Sequence, residues 1–129
     1  MVEELDFFVD KYLERLKESS HLAPNGQCQI WAKATTKTKV KYGAIFVKFG
    51  CKSFTTTAHR LSYVVHNRIT FDDIKHLDVS HLCHNSLCVN PIHLTLEPHP
   101  VNNNRIHCVS LGHCLGHDRY PQCLLNLRL

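Results

Sequence analysis

The chain has 129 residues, 43% hydrophobic and 20% charged, a composition that fits one folded domain and excludes a largely disordered chain. Its net charge of +4 is unevenly spread: Met1 to Glu18 holds six acidic and three basic residues, Ser19 to Phe71 eight basic and no acidic ones, and Asp72 to Leu129 five acidic and four basic. No run approaches the roughly 18 apolar residues of a membrane span, and Met1 to Asp10 is acidic where an export signal starts basic, which predicts an intracellular protein, nuclear in a eukaryotic host.

Leu5, Phe8, Val9, Tyr12, Leu13 and Leu16 recur at three- and four-residue steps, with acids early and Lys11, Arg15 and Lys17 late. This pattern predicts an amphipathic helix over residues 1–20, its stripe a core or dimer face. His21 to Gln27, with Pro24, Asn25 and Gly26, reads as a loop that delivers Cys28 and Trp31. Lys39 to Phe49 alternates, Gly50 and Cys51 supply a turn, and Ser53 to Thr57 is rich in β-branched residues, which predicts a basic antiparallel ribbon within a DNA-contacting region of ribbon and helix over residues 28–78. Such a ribbon fits a DNA major groove, with Lys33, Lys37, Lys39, Lys41, Lys48 and Lys52 as its candidate contacts. An ordinary amphipathic hairpin has the same pattern. The carboxylate-free block suits a polyanion, since phosphate contacts dominate non-specific nucleic-acid affinity, although a solvated lysine-rich face reads alike. Ala58 to Asn67 predicts a short helix burying Leu61, Val64 and Val65, followed by a polar connector from Arg68 to Asp78.

Seven cysteines and eleven histidines are the other excess. Cysteines in a reducing compartment stay as thiols, and an odd number fits a disulfide framework poorly, so metal binding is favoured. Cys83, Cys88 and His93 lie within one turn-rich loop and suit tetrahedral zinc, with Cys28 the most attractive fourth ligand. Cys108, Cys114, His117 and Cys123 could close a second site, with His113 competing for the place of His117. Two structural zinc ions leave only Cys51 unused. Four protein ligands per ion leave no open position for water, so catalysis must use other residues.

The segment SHLCHNSLCVNPIHL, Ser80 to Leu94, with Asn102 following His93, closely resembles the His-Cys box homing endonucleases and related HNH nucleases, which share the ββα-metal, or His-Me finger, fold. The likeness extends to Cys28, Trp31, Tyr42-Gly43, Ala58-His59-Arg60-Leu61 and the second cysteine cluster. It implies an α+β, zinc-stabilised nuclease of one domain, with the ββα motif over residues 79–105 and the second zinc region over 106–129. Asp78 to His81 would be one strand, Leu94 to Leu96 its return, and Pro98 to Arg105 the start of the helix. By the same resemblance His81 is the general base that activates water, and Asn102 holds a catalytic magnesium ion. A one-residue slip toward Asn103 or Asn104 would turn the helical side chain by about 100 degrees. A site with one metal also calls for an arginine on the phosphate, Arg60 first and Arg105 in reserve. The expected partners are double-stranded DNA and a second copy of the chain. Only Leu124 to Leu129 follow the last cysteine, too short a tail for exchange between subunits, so dimerisation would use the N-terminal helix or LLNLRL. Three rivals remain on these residues: a degradative nuclease of the same fold, a zinc module that binds DNA without cutting it, and a zinc-stabilised protein-interaction domain.

Overall fold

The first apolar stripe forms helix α1 (Val2–Glu18) in the computed structural model, which describes residues 2–127. Phe8, Val9, Tyr12 and Leu16 turn inward and are at most 3% exposed. That stripe is therefore core, and it is not available as a dimer face. Phe8 packs on Phe49 and Tyr12, and the Tyr12 hydroxyl accepts the Lys48 amide at 2.8 Å, fixing the helix to the ribbon.

Strands β1 (Ser20–Leu22) and β2 (Gln29–Trp31) pair antiparallel around the turn at Pro24, Asn25 and Gly26, within a segment whose residues predict only a loop. The Asn25 carboxamide oxygen accepts the Gln27 and Cys28 amides, an Asx-type turn that delivers Cys28 inward. Strands β3 (Ala44–Phe49) and β4 (Lys52–Thr57) form the ribbon, turning at Gly50, whose φ of +61° suits glycine. The ribbon is shorter than the alternation from Lys39 implies. Ala44 pairs with Thr57 and helix α2 (Ala58–Asn67) begins at the next residue, so residues 39–43 have no strand to pair with. Lys33, Lys37, Lys39 and Lys41 instead occupy a hydrogen-bonded loop, and only Lys48 and Lys52 lie on the ribbon. That loop is closed by the Thr36 amide on the Tyr42 carbonyl and by the Tyr42 amide on the Thr36 hydroxyl.

Helix α2 buries Leu61, Val64 and Val65 against the core, and its C-terminal Arg68 reaches Asp6 of α1 in an ion pair. The connector contains a 3-10 turn, Asp72–Ile74, that buries Ile74 completely. Strands β5 (Asp78–His81) and β6 (Leu94–Glu97) pair antiparallel, with Asp78 opposite Glu97 and His81 opposite Leu94. Helix α3 (His99–Leu111) follows, entered at Pro98 and ended by Gly112 at φ +78°. It continues past Arg105, so Cys108, the first residue of the second tetrad, sits on this helix. The result is the expected α+β fold: three helices and three two-stranded sheets among the described residues, with two Cys/His tetrads able to hold zinc. No described helix is long and apolar enough to cross a membrane. Of the LLNLRL tail, Arg128 and Leu129 lie outside the described residues.

Gly43 is the tightest point of this framework. A Cβ there would stand 2.7 Å from both the Ala58 Cβ and the Trp31 ring, neither of which is a flexible chain end. Gly43→Ala is therefore expected to cost about 1–3 kcal/mol through overpacking, read as a lower urea midpoint with an unchanged slope.

Candidate active site and metal centres

The loop between β5 and β6 folds through its own asparagines. Asn85 accepts the Leu87 amide and Asn90 accepts the Ile92 amide, while Leu82 and His93 close the loop backbone to backbone at 2.7 Å. Strand β2 then docks on it, with the Trp31 amide on the Leu87 carbonyl and the Val89 amide on the Gln29 carbonyl. These contacts bring Cys28 to Cys83, Cys88 and His93, and all four are buried. Tetrahedral zinc, with bonds of about 2.3 Å to sulfur and 2.0–2.1 Å to nitrogen, requires sulfur and nitrogen ligands about 3.6 Å apart. The His93 Nδ1 stands 3.7 Å from the Cys28 sulfur and 3.5 Å from that of Cys88. The donor set and its spacing thus fit a closed structural zinc site. Without a cation the thiols interfere with one another: the hydrogen bond from Cys83 pulls Cys88 down to about 5, while Cys83 is pushed up by that bond and by burial.

The second tetrad is built on a single stretch. Cys108 comes from the last turn of α3, and Cys114, His117 and Cys123 from the loops after it. His117 Nε2 lies 3.4 Å from the Cys108 sulfur and 3.5 Å from that of Cys123, again the tetrahedral spacing. His117 is the histidine of this group, and His113 stands exposed outside it. The Leu115 amide donates to the Cys108 sulfur, and the Gly116 and Cys123 amides to that of Cys114, as suits thiolate ligands.

Between the ribbon loop, α2, β5 and α3 lies an open cleft of about 620 Å³ that Arg60, His81 and Asn102 all line. Strand β5 supplies His81, whose Nε2–H donates to the Cys88 carbonyl at 3.0 Å. A carbonyl only accepts, so Nε2 carries the proton and Nδ1 is the basic atom. Burial pushes this imidazole down to about 4, so it is neutral near pH 7. Helix α3 supplies Asn102, half-buried, whose Nδ2 donates to Asp78 at 2.9 Å. Asn103 and Asn104 are exposed, so of the three asparagines Asn102 is the one tied to β5. Arg60 donates to the Leu77 and Ile74 carbonyls, which hold its guanidinium at the cleft wall.

Arg105 serves a different purpose from the one held in reserve for it. It is 1% exposed, and it grips Glu97 through Nε and Nη2 at 2.7 and 2.8 Å while Nη1 donates to the Cys123 sulfur. It is a strut between β6 and the second tetrad, and three of its five N–H donors are engaged there.

Two neighbours of these groups have no individual signal in the sequence. The His59 ring lies tilted against His81 with centroids 4.3 Å apart, and Tyr42 packs on both rings. Burial, then His81 and Arg60, push the His59 imidazole well below its usual range, so this pair stays neutral. Asp78 accepts from Asn102 and from His99 Nδ1 at 2.7 Å; burial would raise its pKa, but those bonds outweigh it and keep the carboxyl ionised. The first of the two could not be found by spacing, because a histidine at the second residue of an amphipathic helix reads as a surface group.

A family model for the zinc-binding loop region of homing endonuclease matches residues 17–124 of the chain, a span that includes both tetrads and the cleft. Neither the curated proteins nor the solved structures contain a match.

Proposed function

Because this chain belongs to the His-Cys box homing endonuclease family through its zinc-binding loop region, we propose that it is a metal-dependent endonuclease that hydrolyses phosphodiester bonds in double-stranded DNA. The observation that carries this reading is the convergence of His81, Asn102 and Arg60 on one open cleft, with the His81 ring in the tautomer a general base requires.

In this reading His81 Nδ1 takes a proton from the water that attacks the scissile phosphorus. The Cys88 carbonyl holds the other nitrogen protonated and steadies the charge that develops on the ring. Asn102 offers an amide oxygen, a hard donor that suits magnesium. Magnesium held there would stabilise charge on the phosphorane and on the departing 3′ oxygen. Arg60 has five N–H donors and uses two on backbone carbonyls, so its fork stays directed while the others serve a phosphate. Lys33, Lys37, Lys39 and Lys41 in the loop that lends Val40 and Tyr42 to the cleft, with Lys48 and Lys52 on the ribbon, would supply the phosphate contacts of duplex DNA. Two copies related by a two-fold axis would place two such clefts on opposite strands. Both tetrads act as architecture, the first by fixing the loop whose carbonyl holds His81.

The deciding experiment is plasmid cleavage with and without magnesium beside His81→Ala, on random plasmid and on plasmid carrying the gene's own insertion locus. Metal-dependent cutting is expected, with His81→Ala slower by about 10²–10⁴-fold. Discrete bands indicate a homing enzyme and a smear a degradative nuclease. Folded, zinc-loaded wild-type protein that binds DNA yet never cuts it across several divalent metals would overturn the catalytic reading.

A further inference from the structure

We propose that Asp78 is a positioning residue, whose carboxylate fixes the Asn102 carboxamide with its nitrogen toward β5 and its oxygen toward the cleft. This rests on the reading of the cleft as a magnesium-dependent nuclease site.

The geometry begins in the strand register. Asp78 and Glu97 are directly opposed across β5 and β6, and like charges in that relation destabilise a sheet unless each finds a compensating partner. Helix α3 supplies both partners at three-residue intervals. Arg105 takes Glu97, while Asn102 and His99 share the Oδ2 of Asp78 at 2.9 and 2.7 Å. The two carboxylates are thus treated differently. The buried one receives a full cation. The one lining the cleft receives an amide and an imidazole that is largely exposed, with its side chain 68% accessible.

An ionised carboxylate is an acceptor only, so it discriminates between the two ends of a carboxamide. With the nitrogen against Asp78, a charge-assisted bond forms. With the amide reversed, two oxygens would face each other at about 3 Å, and the flip is disfavoured. Asp78 therefore turns an otherwise ambivalent side chain into an oriented acceptor, as second-sphere carboxylates do for metal ligands. A negative group on the wall of a cleft that takes polyanions also needs a reason. Orientation of a cation ligand supplies one, since a cation between carboxylate and phosphate removes the repulsion.

The test reads the amide itself. The Asn102 side-chain NH₂ pair is assigned in a nitrogen-15 spectrum by its loss in Asn102→Ala, then followed in Asp78→Ala and in the isosteric Asp78→Asn, which serves if the alanine variant melts early. Manganese affinity is measured on each variant by the free-ion electron paramagnetic resonance signal with an uncleavable duplex bound. The expected result is that the Asn102 pair shifts and exchanges faster without Asp78 and that manganese affinity falls about tenfold. Asp78→Ala should add no further loss in the Asn102→Ala background, a non-additivity that a merely structural role does not produce. An unchanged Asn102 pair, an unchanged manganese affinity or fully additive losses would each overturn the proposal. If the wild type never cleaves DNA while these coupled losses appear, the nuclease reading fails and the positioning role stands.

Discussion

Stripping zinc with a strong chelator is expected to unfold the chain around the cleft, and Cys83→Ser alone to reproduce most of that loss. The argument is one of scale. The tetrad of Cys28, Cys83, Cys88 and His93 sits in its own small cluster, where only Ala23 and the partly buried Ile30 add apolar surface. The main core is a separate cluster built from α1, α2 and the ribbon, joined by Trp31, Ile74, Val79, Val89 and Leu94. Apolar burial at the metal ligands themselves is slight, although Val89 and Leu94 of the loop join the main core, whereas structural zinc contributes about 10–16 kcal/mol of apparent binding energy to sites of this kind. A domain is stable by only about 5–15 kcal/mol in total, so loss of one such site is comparable with the whole. Zinc content should fall from two equivalents per chain toward one in Cys83→Ser. Near-native far-UV dichroism and an unchanged melting temperature after complete zinc removal would sink the architectural role of the metal.

Arg105→Ala should destabilise the fold by about 3–5 kcal/mol. Its partner carboxylate on Glu97 is fully buried, with side-chain exposures of 2% and 0% for the pair, and removal of the guanidinium strands that charge in the interior. Arg105 also donates to the Cys123 sulfur, so the second tetrad should bind zinc more weakly in the same variant. Burial by itself would lower the Arg105 pKa, but Glu97 and Cys123 outweigh it and hold the group charged. Replacing both members by apolar residues, Arg105→Met with Glu97→Leu, should recover most of the stability, since a buried pair is worth little against well-packed hydrophobes. Urea unfolding of the single and double variants checks this. A stable Arg105→Ala protein with impaired cleavage would instead return the residue to the role of phosphate brace.

Much of this was legible in the sequence wherever chemistry restricts the residue type. Both tetrads follow from the spacing of cysteine and histidine, and α1 follows from its apolar steps. The lysine segment misled because its alternation is that of a strand, whereas a strand needs a continuous neighbour: β4 ends at Thr57, and beyond it stands an isolated bridge from Gly43 to Thr35. Strands β1 and β2 are three residues each, too short for any periodicity to register. The strut that Arg105 makes could not be read from position either. It turns on the burial of Glu97, a carboxylate that in sequence looks like any other acid at the end of a strand. Asp78 escaped for the same reason, since its importance lies in which residues of α3 come to face it.

The two metal sites differ in how far along the chain their ligands are drawn. The second gathers everything from residues 108–123 and can close as a local knuckle, while the first waits for residue 28 to meet a loop about 55 residues later, with the larger entropy of closure that implies. During synthesis the first site cannot be completed until His93 has emerged, and the half-formed chain must hold Cys28 as a free thiol through about half of its translation. A cell short of zinc should therefore accumulate a species with its C-terminal knuckle loaded and its cleft unmade. Zinc supply would then govern how much competent protein is assembled without touching the reaction itself.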